Sequence, residues 1–240
     1  MKKKNLAAAL FAVLCASLIA AAQGTVVVSD PTANDPNAST DNKYTLLPGE
    51  QRLMDTKVLP KVRKKLADDG CQEEIQISGK HQGYFTQNKE SEDLIFYQFC
   101  QTGNGMGKAG VAIFNGERLV GNFVAEQAGW TLDSDVLADI NKNGLDEIAL
   151  YYSGGMHQGE GGTGCDIVEF SAGKLKGVGW FQSDGFTEET NWSFKVTVNP
   201  GKVPVFFKQK YIGVDGGKWR KSGKVLPLKL GTIFGTFVAV

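Results

Sequence analysis

From residue 71 onward the chain is a succession of short runs rich in β-branched and aromatic residues, separated by glycine clusters. No other feature constrains the fold as much. Residues 73–78, 94–100, 110–115, 118–123, 147–152, 165–171, 174–182, 193–198 and 203–208 each read as a strand. Their spacing of roughly ten residues predicts a mainly β arrangement. Glycine contributes 30 of 240 residues, well above the usual share of about 7%, which favours many turns.

The stretch from 51 to 69 follows a different rule. Leu59, Val62 and Leu66 recur at helical spacing and Gly70 stands ready as a terminator, so one N-terminal helix is expected before the strands. Pro60 should begin its regular part or kink it, because proline removes a donor and crowds the preceding turn. Lys57, Lys61, Arg63, Lys64 and Lys65 read as its solvated face.

Ahead of the helix lie two segments of another character. Lys2, Lys3 and Lys4, an apolar run from 6 to 19 and the small residues Ala20, Ala21 and Ala22 have the form of a secretory signal peptide, residues 1–22. The run is too short to span a bilayer, and no integral membrane segment is expected after cleavage. Leu14 before Cys15 argues against lipoprotein processing. Residues 23–50 are dominated by Ser, Thr, Asn, Asp and Pro and read as a flexible linker, with Val26, Val27 and Val28 as its only apolar anchor. Residues 51–240 would then form the helix and β-repeat domain.

Charge excludes one partner class. The 26 basic residues balance 26 acidic ones, so the basic excess that drives nucleic-acid binding is missing. After cleavage three cysteines remain, Cys71, Cys100 and Cys165, in a chain bound for an oxidising compartment. One bridge and one buried thiol are expected, and spacing does not say which pair forms.

The strand pattern repeats. Residues 92–97 and 110–121 can be laid over 146–151 and 165–176, with glycine-rich gaps between the halves of each copy, and a weaker third copy runs from Pro204 to Arg220. A period of about 55 residues, built of consecutive strands, matches one blade of a β-propeller.

One segment has the composition of an ion site. In Asp139-Ile140-Asn141-Lys142-Asn143-Gly144-Leu145-Asp146-Glu147, oxygen-bearing side chains alternate and glycine occupies the sixth position, where a sharp turn is needed. Calcium takes six to eight oxygens, and such a loop offers them from Asp139, Asn141 and Asn143, from the Leu145 backbone carbonyl and from Glu147. Position twelve is Leu150, so the bidentate glutamate of a helix-loop-helix calcium hand is missing, and a strand follows instead of a helix. The loop followed by an apolar strand resembles the FG-GAP and VCBS repeats, whose pattern is D-x-N-x-D-G-x-x-D. That resemblance implies propeller blades, Ca2+ as ligand and a role in extracellular recognition or scaffolding. Asn143 and Glu147 replace two aspartates of the pattern, so weak, structural binding is expected. The matching stretch of the first copy, residues 85–93, has lost the aspartate and glycine and should be an empty loop.

Catalytic constellations are poor. His81 and His157 are the only histidines, too few for a zinc site by themselves, and both are expected in exposed loops. Ser153 near His157 lacks a nucleophile elbow, and the glycine-rich stretch 159–164 lacks the lysine of a phosphate-binding loop. Asp133, Asp135, Asp139, Asp146 and Glu147 keep open a carbohydrate-active hydrolase or inhibitor as the alternative. The sequence thus points to a secreted or periplasmic, non-catalytic binding or scaffold protein whose partner is an unknown extracellular protein or glycan. Its ligand-facing edge is expected at the glycine-rich loops after Phe99 and Tyr152, with Trp130, Tyr151, Tyr152 and Trp180 as aromatic neighbours.

Overall fold

The computed structural model describes residues 25–33, 44–65, 75–101, 107–154, 160–233 and 235–240. The expected signal peptide, residues 23–24 and 34–43 of the expected linker, the end of the expected helix with Leu66 and Gly70, and Cys71 lie outside them. So do residues 73–74 of the first expected strand and residues 102–106 and 155–159 of the two expected ligand-facing loops, and with them His157. In chain order, strand β1 (Val26–Ser29) precedes one helical stretch, 48–65. Four strands follow as a simple antiparallel meander: β2 (Gln76–Gly83), β3 (Glu92–Gln101), β4 (Gly107–Asn115) and β5 (Arg118–Ala128). A second meander comprises β6 (Trp130–Leu137), β7 (Glu147–Ser153), β8 (Thr163–Ser171) and β9 (Lys174–Gln182). The third sheet is formed by β11 (Asn191–Asn199), β12 (Val205–Val214) and β13 (Lys218–Leu228), with β1 and the short β10 (Asp184–Phe186) both pairing with β11. Finally β14 (Phe237–Ala239) returns to the first sheet beside β5.

The mainly β expectation therefore holds, with one helical stretch and three antiparallel sheets, while no closed barrel or propeller forms among the described residues. The two stretches matched in sequence fall on β3-β4-β5 and on β7-β8-β9, the same places in the two meanders. None of the expected strands covers β6, β10, β13 or β14, and β1 falls in the expected linker. Val26 and Val27 pair instead with Val198 and Thr197 of β11, so the apolar anchor is a sheet strand.

The sheets stack as layers. On the outer face of the first, Met54, Val58, Leu59 and Val62 of the helix pack over Ile95, Tyr97, Phe99 and Phe114. Its other face meets the second sheet, where Leu94, Phe96 and Val111 contact Ile148, Leu150 and Val168. The far side of the second sheet, Ala149, Cys165, Ile167 and Phe181, packs on Val28, Val196, Val198 and Phe206 of the third. A strand covered on both faces needs apolar residues at successive positions, which is why β7 reads Ile148-Ala149-Leu150 without alternation.

Pro60 sits inside the helical stretch without breaking it. Between α1 (Pro48–Leu53) and α2 (Leu59–Lys65), Met54–Val58 form a π-helical turn, with the Leu59 N–H bonded to the Met54 carbonyl five residues back. The wider turn relieves the crowding that a proline ring imposes on the carbonyl four residues upstream. Lys80 of β2 pairs with Glu50 at 2.7 Å, and the same carboxylate accepts the Leu47 N–H at 2.6 Å, which docks the helix start. No described helix is long and apolar enough to cross a membrane.

Candidate functional site

Residues 138–146 join β6 to β7 and contain all but the last of the predicted ion ligands. Three backbone positions are left-handed: Asp139 (φ 35°), Lys142 (φ 63°) and Gly144 (φ 90°). The asparagines make this possible. Asn141 Oδ1 accepts the Asn143 N–H at 3.0 Å and Asn143 Oδ1 accepts the Leu145 N–H at 2.8 Å, two successive Asx turns that wind the loop on itself. Asp146, which was not among the predicted ligands, closes it. Its Oδ1 accepts the Asp139 N–H (3.2 Å) and its Oδ2 the Tyr84 N–H (2.8 Å), while its own N–H donates to the Tyr84 carbonyl (2.8 Å). Ile140 is buried, and its carbonyl accepts the Gly201 N–H at 2.9 Å. The loop is thereby tied to the turn after β2 and to the turn after β11.

Its carboxylates are less well served. Glu147 is fully buried; its Oε2 accepts the Ile140 N–H at 2.8 Å, but its Oε1 has no hydrogen-bond partner. Asp139 Oδ1 is likewise buried without a partner. Glu169 of β8 faces the same loop and accepts from Asn141 Nδ2 at 2.6 Å and Asn143 Nδ2 at 3.2 Å. Burial pushes the Glu147 carboxyl up to about 7, opposed by the Ile140 amide and reinforced by the charges of Asp139 and Glu169. Among the described residues no Lys or Arg forms an ion pair with these three carboxylates, and the buried Lys142 Nζ also lacks a partner.

The structure thus sets Asp139, Asn141, Asn143 and Leu145 in one loop with Glu147 at the start of the following strand, and adds Glu169, which carries no local motif and is supplied by the neighbouring strand. No three His, Cys, Asp or Glu side chains among the described residues gather as a metal cluster. The predicted set contains only two carboxylates, the rest being amides and a backbone carbonyl. Each asparagine Oδ1 uses one acceptor direction in its Asx turn and keeps a second.

The loop between β2 and β3 provides an internal comparison. Glu92, only 1% exposed, accepts the Phe85 N–H at 3.1 Å and the Thr86 N–H at 2.6 Å through Oε2, and the Thr86 hydroxyl through Oε1. Both of its oxygens are satisfied by protein.

The other sequence candidates disperse. His81 is on β2, not in an exposed loop, and its Nε2 shares a hydrogen bond with Ser134 Oγ at 2.9 Å. Asp133 accepts the Tyr44 hydroxyl at 2.6 Å. Of the aromatic residues expected at a ligand-facing edge, Tyr152 is buried against Phe96, and the Tyr151 hydroxyl donates to the Val28 carbonyl at 2.5 Å. Trp180 borders a cleft of about 290 Å³ with Gly129, Gly162 and Gly164. Cys165 is a buried free thiol, whereas Cys100 is bonded in a disulfide. Comparison of the chain with family models, with curated proteins and with solved structures finds no match.

Proposed function

We propose that the loop from Asp139 to Glu147 is a structural Ca2+ site in a non-catalytic, secreted or periplasmic binding or scaffold protein built of propeller-blade-like sheets. The reading rests on one contrast. Glu147 and Asp139 each keep a buried oxygen that nothing in the protein satisfies, while Glu92, in the matching loop, is fully hydrogen-bonded. A buried acceptor without a donor costs roughly 1–3 kcal/mol and more when charged. A hard cation removes that cost at both atoms, and Asn141, Asn143 and the Leu145 carbonyl add neutral oxygens of the kind calcium accepts.

Bound there, the ion neutralises the mutual repulsion of Asp139, Glu147 and Glu169 and locks a loop that already touches the first and third sheets. Its work is mechanical. With so few charges among the ligands the affinity belongs with extracellular modules, of the order of 10⁻⁴ to 10⁻³ M. The resemblance of the loop to FG-GAP and VCBS repeats is in keeping with the same role, as is the placing of the repeated stretches at equal positions in two four-stranded meanders. Calorimetric titration of the metal-free protein with CaCl₂ tests it, with MgCl₂ as control. Saturable heat that disappears in Asp139→Ala is the expected result, and no heat together with an unchanged melting temperature at 10 mM calcium overturns the proposal.

A further inference from the structure

The charge of this chain is distributed very unevenly. Between Asn191 and Lys229 there are nine lysines and arginines and a single acid, Asp215, which leaves 17 basic and 25 acidic residues for the rest of a neutral sequence. Structure concentrates the excess further. β13 is the terminal strand of the third sheet, paired only with β12, and it carries Lys218-Trp219-Arg220-Lys221-Ser222-Gly223-Lys224. All four of its cations are exposed, as is Lys210 on the adjoining strand. None of the five forms an ion pair with an acidic group.

Edge lysines have a simpler use, to keep a second chain from pairing with the open strand. That explains β13 in part. It does not explain Lys210, which lies one strand inward, or why Lys210, Lys218 and Arg220 share one face while Lys221 occupies the other. Register sets Lys210 opposite Ser222 and Arg220 opposite Ile212, so these two cations are diagonal neighbours, with Lys218 two residues further along the same face. Water and salt screen the repulsion between them, and the Lys210 ammonium also lies over the Trp192 ring at 5.7 Å, but an anionic chain laid along them would turn the remaining repulsion into attraction. The opposite face adds an aromatic: Trp219 is half-buried beside a cleft of about 570 Å³ that Phe186, Asn191 and Lys218 also border. The carboxylate in this cleft, Asp184, is already engaged by the Thr163 N–H at 2.9 Å and by the Ser183 hydroxyl.

We infer that the β12–β13 edge is a binding site for an acidic polysaccharide, its charged groups lying along Lys210, Lys218, Arg220 and Lys221 and one sugar ring seated against Trp219. The site is independent of the calcium loop. Cations that splay from both faces of an edge strand suit a flexible polymer wrapping that edge; a bilayer asks for one flat basic face. An amide and an indole beside the cations suit hydroxylated rings. Clusters of this density bind linear polyanions by releasing their counterions, which makes affinity salt-dependent.

The test uses the intact mature protein with two probes, dextran sulfate and alginate, which separate sulfate from carboxylate recognition, and neutral dextran as control. Binding to at least one polyanion should exceed binding to neutral dextran tenfold or more and weaken as NaCl rises. Substituting Lys218→Gln, Arg220→Gln and Lys221→Gln together should cost tenfold or more and flatten the salt dependence. The same three-glutamine change at Lys57, Lys61 and Lys64 on the helix should cost less than twofold. Trp219→Ser should weaken binding without altering the salt slope. As a check that needs no variant, the bound polyanion should shield Lys218, Lys221 and Lys224 from acetylation read by mass spectrometry, but not Lys57 or Lys61. Equal binding by the edge variant, equal binding to neutral dextran, or tighter binding to duplex DNA or to phosphatidylglycerol vesicles overturns the inference.

Discussion

Glu147 and Glu92 hold the same place in the first loops of the two meanders, each accepting the backbone N–H of the residue seven positions earlier, Ile140 at 2.8 Å and Phe85 at 3.1 Å. Only Glu147 is left with an unpaired oxygen. The difference lies in what stands beside them. Thr86 lends Glu92 a hydroxyl and a second amide, whereas the corresponding position after Ile140 is Asn141, whose side chain turns to Asn143 and Glu169.

Calcium should therefore raise the melting temperature. For a dissociation constant between about 10⁻⁴ and 10⁻³ M, 10 mM calcium adds roughly 1.4–2.7 kcal/mol, or about 3–10 °C for a chain of this size. Differential scanning fluorimetry with and without EGTA measures it. Asp139→Ala should abolish the increment while changing the metal-free melting temperature little.

The metal-free protein should lose stability as pH rises. Glu147 moves from 4.5 to about 7 on folding, so its protonated form is the favoured native one. The associated stability, about 3 kcal/mol, is fully present below pH 4.5 and lost as pH climbs through 7. Urea unfolding in EGTA at pH 5 and pH 8 reads this slope. Glu147→Gln should flatten it and make the metal-free protein more stable at pH 8, while removing the calcium response.

β1 should depend on one ion pair. Lys195 reaches Asp30 at 2.5 Å, and the Thr32 N–H and hydroxyl donate to the same carboxylate at 2.9 and 2.7 Å. Burial alone would raise the Asp30 pKa, but the bonds from Lys195 and Thr32 outweigh it and hold the carboxyl below its usual range. This contribution is present above the ordinary aspartate pKa and lost as pH falls through the lowered value. Asp30→Asn should cost about 1 kcal/mol, reduced by the partial exposure of Lys195, and should speed amide exchange at 26–29 and along β11 more than elsewhere.

The cysteines should behave as two classes. Burial, and after it the neighbouring Asp166 charge, pushes the Cys165 thiol well up. It should resist iodoacetamide in native buffer and react fully in 6 M guanidinium. With Cys165 free, Cys71 is the proposed partner of Cys100, and a non-reduced digest should yield that cross-linked peptide pair. A native protein in which Cys165 alkylates readily contradicts its burial.

Much of this molecule is written in local pattern. The strands at 94–100, 110–115, 147–152 and 165–171, the helix around Leu59 and Val62 and the turn at Gly144 follow from side-chain periodicity and backbone preference, which act over a few residues. The repeat on β3-β4-β5 and β7-β8-β9 was legible for the same reason. β6 was missed because Asp133, Ser134 and Asp135 interrupt its apolar pattern, and β13 because its exposed edge needs no apolar face at all.

What only the tertiary structure decided is what becomes of polar atoms once water is gone. That Val26 and Val27 pair with β11, that Glu169 joins the loop from another strand, and that Glu147 is buried with one oxygen unmet all depend on residues far apart in the chain. Local sequence specifies which conformations a segment favours; desolvation and partner choice arise only when the sheets stack, because the free energy of a buried charge is set by its surroundings rather than by its neighbours in sequence.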